Sequence, residues 1–460
     1  MGPSIDYADI QGDILRAYGN RYDRTSYVFV AVGDPEHGQA WLSGLLDKVT
    51  TAVPWRGPRP ETTLNVAFTH AGLAAVGVAP QTLDSFSTEF RQGMSRRAPK
   101  LGDAGDSDPK HWNEGLGTGS AHVLITINAQ DELSLQAVLS ALRAGLRDAG
   151  NLSIAHEEHA QMRGDAREHF GFADGFSQPA IEGVSEDKAR GGGVPEANGG
   201  WRPLALGEFI LGYADEESRV DSQRRLPSAP AGPLGRGGTY MVWRKLHQDV
   251  ALFRRTLRDA AHLYDAGDED QLAAKIVGRW RNGTPLVASP TAEQASFDAK
   301  AADANDFRYA DVDLDGRRCP LGAHIRRANP RDALGFVGRL SFRHRMIRRG
   351  MPYGPALDSD AVEDDGKERG LVFVCFNASI SRQFESVQRQ WLNDGNVFHL
   401  GHDTDFLLGG GTASTGKMKV QGAPPFFVSP QGPFVTTRGG EYLFVPSITG
   451  LAAVADGVTG

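Results

Sequence analysis

Cysteine is nearly absent: Cys319 and Cys375 are the only two in 460 residues, which excludes a disulfide-stapled scaffold. No apolar run approaches the ~20 residues a membrane-spanning helix needs, so no membrane partner is expected. Basic residues are outnumbered, 49 Lys and Arg against 57 Asp and Glu, for a net charge of −8. Such a surface repels phosphate backbones and makes nucleic acid an unexpected partner. The opening Met1-Gly2-Pro3-Ser4-Ile5-Asp6 lacks a basic region, an apolar stretch and a twin-arginine pair, and Asp6 stands where myristoylation needs Ser or Thr. A cytoplasmic protein is expected. Also missing are GxxxxGK[ST], GxSxG and helical HExxH patterns, which argues against a phosphate loop, a serine-hydrolase elbow and a zinc-protease site.

Glycine, by contrast, is plentiful, 56 residues against a usual share of roughly 7%, and signals many turns. With 40% apolar residues the chain is an ordinary globular one with a sizeable core. Strand-like runs fall at 26–32, 62–68, 122–127 and 152–162, with helical spacing at 38–49 and 133–146. The second half repeats the order more loosely, with strands at 239–243, 345–347, 371–376 and 441–445 and helices at 250–263 and 380–391. A β-α-β…β-α-β order in each half predicts an α+β fold of two ferredoxin-like domains, antiparallel sheets with helices. The boundary is set near 215, giving domains 1–215 and 216–460. The Gly- and Pro-rich segments 185–200 and 215–238 read as surface loops or linkers.

Three segments carry candidate chemistry. In Gly171-Phe172-Ala173-Asp174-Gly175-Phe176-Ser177-Gln178-Pro179 a carboxylate precedes glycine on a tight turn, where backbone can approach a ligand closely. The plainer reading is an Asx-type turn. Cys319-Pro320-Leu321-Gly322-Ala323-His324-Ile325-Arg326-Arg327-Ala328-Asn329-Pro330-Arg331 sets a histidine with apolar flanks before a basic cluster. That suits an axial ligand of an anionic cofactor, or a packed core histidine. In Arg345-Met346-Ile347-Arg348-Arg349-Gly350-Met351-Pro352-Tyr353-Gly354 a strand carries arginine into a turn, toward a ligand or toward solvent.

Together these segments resemble the dye-decolourising peroxidases, a haem family. The resemblance rests on Gly171-Phe172-Ala173-Asp174-Gly175 as GxxDG, on Ala323-His324-Ile325-Arg326 and on Ile347-Arg348-Arg349-Gly350, in family order. Asp9-Ile10-Gln11-Gly12-Asp13-Ile14-Leu15 and Arg369-Gly370-Leu371-Val372-Phe373 also fit. It covers most of the chain, points to the larger members without a secretion signal, and transfers nothing to residues 249–308. It implies a dimeric α+β barrel-like fold, GxxDG closing the N-terminal domain and noncovalent haem b in the C-terminal one, since no CxxCH occurs.

The implied function is a haem-dependent peroxidase that uses hydrogen peroxide to oxidise bulky aromatics (dyes, phenolics, lignin-like compounds) through a ferryl intermediate. The alternative is a haem-binding, iron-handling or haem-sensing protein without such turnover, with a Cys319 thiolate as rival ligand. His324 takes the axial position on iron by resemblance, its other nitrogen donating to a carboxylate; Glu385 is the candidate, with Asp403 and Asp405 competing. Asp174 is the acid–base shuttle for peroxide and Arg348 the charge stabiliser, with Arg345 and Arg349 as its rivals. The haem's carboxylates call for Arg326, Arg327 or Arg331 and for backbone at Asp174–Gly175. Leu371 and Phe373, two apart on a strand, share a face and wall the pocket or the core. Tyr353 and Trp391 are candidate electron relays to bulky donors. Hydrogen peroxide and small aromatic reductants are the expected partners, with the oligomeric state left open.

Overall fold

The computed structural model describes residues 4–459 apart from 19, 20, 176, 221–228, 265, 266, 302, 410–415 and 430. Phe176 of the GxxDG segment and part of the expected 215–238 loop therefore lie outside the described residues. Among the described residues no helix is long and apolar enough to cross a membrane.

The main sheet comprises β1 (Arg24–Val32), β2 (Thr62–Phe68), β3 (Val123–Ala129), β4 (Leu152–Gln161), β5 (Thr239–Gln248), β6 (Ile347–Arg348), β7 (Met351–Tyr353), β8 (Gly370–Asn377) and β9 (Val435–Val445). Every pairing is antiparallel, in the order β4-β1-β3-β2-β9-β5-β8-β6, with β7 beside β6 on β8. Counted within its own half, each set of strands runs 4-1-3-2, the split βαβ order expected of ferredoxin-like units. The sheet curls until β7 comes alongside β4, without pairing to it.

Helices α1 (Gly12–Leu15), α2 (Pro35–Ser43), α3 (Glu132–Ala149), α4 (Val250–Ala261), α5 (His324–Ala328) and α7 (Ile448–Ala455) are joined by α6, two wide turns over Ser381–Glu385 and Val387–Leu392. Local chemistry explains their starts: Asp131 accepts from Ser134 N at 2.8 Å to cap α3, and Asp34 accepts from His37 N at 3.1 Å to cap α2. On α3, Leu135, Leu139, Leu142 and Leu146 recur at helical spacing and are buried. Along β1, Val28, Val30 and Val32 face the helix-covered core, whereas Tyr27 and Phe29 face the inside of the curl. Period-two alternation between two buried faces accounts for the unbroken apolar run.

The two halves of the sheet meet at one residue pair, Phe68 with Phe444. Gln11, fully buried, reinforces this seam: its Nε2 donates to Val66 O at 2.8 Å and Pro446 O at 3.0 Å, and its Oε1 accepts from Val66 N at 2.9 Å. The two expected linkers are not simple surface loops. Gly191, Gly192 and Val194 are buried, as are Asp215 and Glu216, which pair with Arg343 and Arg202. A charge so buried needs a fixed partner, and that tethers the start of the segment.

Candidate active site

A cavity of about 340 Å3 opens on the face of β5, β8 and β9 that looks toward α5 and α6. Asp174, His324, Arg348, Leu371, Phe373 and Trp391 all line it. Three chain segments far apart in sequence are thus brought together.

Loop 168–175 presents Asp174. Glu168 accepts from Phe170 N and Phe172 N, both at 2.9 Å, and from Gln248 Nε2 at 2.6 Å. Arg281 donates to Phe170 O at 2.7 Å from outside. Gly171 has φ +95°, a conformation that favours glycine, and a Cβ there would displace the Arg281 guanidinium, 2.7 Å away. Asp174 is half exposed, and it lines the cavity. Burial raises its carboxyl, but Arg348, the Gly175 N–H and His324 outweigh that and hold it below the usual carboxylate value.

Arg348 ends β6, where Nη1 donates to Asp174 Oδ1 at 3.3 Å and Nη2 to Ser177 O at 3.1 Å. Gln178 clamps its backbone: Arg348 N donates to Gln178 Oε1 and Gln178 Nε2 to Arg348 O, both at 3.0 Å. Of its rivals, Arg349 turns away to the carbonyls of Asp13, Ile14 and Arg16. Arg345 lines the same cavity.

His324 opens α5. Its Nδ1 lies 3.1 and 3.2 Å from the oxygens of Asp405, whose side chain is fully buried and also accepts from Leu407 N at 3.0 Å and Leu408 N at 2.8 Å. Burial lowers the imidazole pKa, yet Asp405 overrides it and the net shift is upward. Nε2 has no partner among the described residues. Asp403 pairs instead with Lys417 at 3.3 Å.

Glu385 does not back His324. It forms a two-point ion pair with Arg97 and accepts from Tyr442 Oη at 2.9 Å, because the wide turns of α6 direct it to the far side from Gln388 and Trp391. Arg326 does not face the cavity either: buried, it pairs with Asp313 at 2.9 Å, donates to Cys319 O and lies over the Tyr309 ring. Arg327 is likewise spent on the carbonyls of Trp391, Leu392, Asp394 and Asp403. Tyr353 lies inside the curl of the sheet, only 3% exposed, and Trp391 is 4% exposed with its ring edge-on to His344. Neither relay candidate opens on the surface.

The cavity's cations are Arg279, Arg331 and Arg345 besides Arg348 and Arg244, which Asp103 pairs. Burial pushes the first three down to about 9, 10 and 9, and mutual repulsion adds to the shift of Arg279 and Arg345. Arg345 has no side-chain partner among the described residues. A half-buried guanidinium that faces a cavity without a counter-ion is unfavourable, so this end of the cavity suits an anionic ligand. Cys319, by contrast, is outside the cavity, and burial pushes its thiol up to about 11. Gln178 carries geometry that its sequence context did not single out, whereas Asp405 and Arg345 stand there only as competing candidates.

The chain is similar to known proteins over nearly its whole length. Residues 9–168 match the DyP dimeric alpha+beta barrel domain, and residues 292–405 match the Dyp-type peroxidase, C-terminal, family. The chain is 29% identical to the dye-decolorizing peroxidase msp1 of Mycetinis scorodonius, over 98% of this chain and 88% of that one. It is 30% identical to the multifunctional dye peroxidase DyP2 of Amycolatopsis sp., over 97% and 95%. The crystal structure of a fungal DyP-type peroxidase from Auricularia auricula-judae superposes with a TM-score of 0.82 at 26% identity, covering 98% of this chain and 100% of that one. A dye-decolorizing peroxidase in complex with 2,6-dimethoxyphenol gives 0.81 at 26% identity, covering 98% and 100%.

Proposed function

The chain belongs to the dye-decolourising peroxidase family, and from that membership we propose that it is a haem-dependent peroxidase, using hydrogen peroxide to oxidise bulky aromatic donors such as dyes and phenolics. One observation carries the reading: His324, backed by Asp405, lines the same cavity as the Asp174–Arg348 pair. Haem fits this donor set, since an imidazole with a free nitrogen suits iron and the unpartnered Arg345, with Arg279 and Arg331, suits the haem carboxylates. Haem b, held without a covalent link, supplies the iron at which peroxide is reduced.

The chain's own groups do the rest. His324 offers Nε2, and Asp405 takes the Nδ1 hydrogen bond, which fixes the ring and raises its basicity. Asp174, held ionised, accepts a proton from one oxygen of hydrogen peroxide and returns it to the other. Arg348 keeps Asp174 in place and steadies the negative charge that develops on the departing oxygen. Leu371 and Phe373 give the cavity an apolar wall. A heme-sensing role through Cys319 lacks support, because a buried thiol with a raised pKa stays protonated. The division near residue 215 and a cytoplasmic setting, which suits two free buried cysteines, belong to the same reading.

The test is an absorption titration with haem followed by an equimolar pulse of hydrogen peroxide. Wild type should show a histidine-ligated Soret band that changes rapidly, and His324→Ala should lose that band. Asp174→Asn and Arg348→Leu should bind haem yet slow the peroxide-driven change by about 100-fold or more. A histidine-ligated spectrum indifferent to peroxide would overturn the proposal in favour of haem handling.

A further inference from the structure

Among the side chains that line the cavity, the thioether of Met346 has no part in the chemistry above. The chain has seven methionines. Met94, Met241 and Met418 are buried, Met1 lies outside the described residues, and Met162, Met346 and Met351 are partly exposed. Of these last three, Met346 alone lines the cavity, two residues before Arg348.

Its sulfur meets another. Cys375, opposite Arg348 on β8, donates from Sγ to Met346 Sδ at 3.6 Å. Cys375 follows Leu371 and Phe373 at period two on one side of the strand, but unlike them it is fully buried. Burial also pushes the thiol well above its ordinary pKa, so it stays protonated and unreactive. A thioether needs no deprotonation before it accepts oxygen, and this one is open to the cavity. The Cys375 hydrogen bond takes up one lone pair of the Met346 sulfur. The other lone pair is left for an oxidant that arrives from the cavity.

We propose that Met346 is a self-oxidation site, converted to a single epimer of methionine sulfoxide when hydrogen peroxide outruns the aromatic donor. The site rests on the peroxidase reading, because its oxidant is hydrogen peroxide activated in the holoprotein. The O–O bond of one hydrogen peroxide breaks and an S=O bond forms. The sulfur loses two electrons, and the second oxygen leaves with both protons as water. Met346 packs against two apolar clusters, one holding Phe373 and Phe384, the other Trp391 and Leu408. A sulfoxide is polar, so it loosens that junction beside Arg348. Excess peroxide thereby limits its own further use.

Haem-loaded wild type should be given a graded excess of hydrogen peroxide without donor, digested and analysed by mass spectrometry. The Met346 peptide should gain one oxygen before the Met162 and Met351 peptides do, with Cys375 unmodified, and an excess of a small phenol should suppress the gain. Asp174→Asn, loaded likewise, should slow oxidation of Met346 in step with its peroxide reaction, by about 100-fold or more. The two epimer-selective methionine sulfoxide reductases then read the handedness: one should restore the peptide fully and the other leave it untouched. Met346→Leu, a volume-conserving exchange, should keep the first Soret response and need several-fold more peroxide to lose it. A Soret response that leaves Met346 unmodified, an oxidation rate indifferent to Asp174→Asn, or a mixture of both epimers overturns the site and leaves the peroxidase reading standing. A Soret band that ignores peroxide overturns both.

Discussion

Asp174 owes its ionisation to a contest between burial, which raises its pKa, and Arg348, which leads the effects that lower it. Because the net shift is downward, the carboxylate persists below the ordinary carboxylate range, and proton acceptance is lost only as pH falls through that depressed value. Arg348→Leu removes the leading lowering effect and lets burial dominate. Its residual peroxide reaction should therefore lose rate at a higher pH than wild type does, read from stopped-flow profiles of the Soret change; an unmoved acid limb would sink the assignment. The sequence made Asp174, His324 and Arg348 legible because each sits in a short motif. It could not choose Asp405 over Glu385, since a contact across 81 residues has no local signature. Arg326 misled for a related reason: a basic residue close to His324 in sequence looks available until Asp313 is seen to hold it.

At the scale of elements, Gln178 registers β6 against the GxxDG loop through two hydrogen bonds to the backbone of Arg348. Gln178→Ala should cost about 1–3 kcal/mol in urea unfolding, the usual range for stranding buried backbone groups, and should slow the peroxide reaction with haem affinity kept. Loss of stability with an unchanged peroxide rate would show that Arg348 does not depend on the clamp. Strands and ordinary helices were largely legible from period-two and 3.6-residue patterns. Helix α6 was legible as a helix but not as an underwound one: Glu385 N donates to Ile380 O at 2.9 Å and Asn393 N to Gln388 O at 3.0 Å, both spanning five residues. Such wide turns rotate side chains off the face a regular helix would give them, and Glu385 meets Arg97 and Tyr442 instead of His324.

Over the whole molecule, stability carries a pH dependence from two buried carboxyls. Asp13 and Glu441 are both raised to about 7, by burial above all. The folded state therefore keeps protons that the unfolded chain releases between about pH 4 and 7, and stability from these groups falls as pH rises through that window. Asp13→Asn and Glu441→Gln should each raise Tm more at pH 8 than at pH 5; an equal gain at both would contradict the raised values. The two-fold repetition of β-α-β units was legible in order, but the seam that joins them was not, because a single residue pair and one glutamine leave no pattern.

That seam has a bearing on how the protein is made. Strand β9 follows every other strand of the main sheet in sequence, yet it lies in the middle of that sheet between β2 and β5. The two halves of the sheet cannot pair with each other until β9 has emerged from the ribosome. A nascent chain stalled before that point holds the residues of the Asp174 loop, His324 and Arg348, yet lacks the β9 part of the cavity wall. Cofactor uptake should accordingly await the emergence of β9 rather than accompany synthesis of the strands before it.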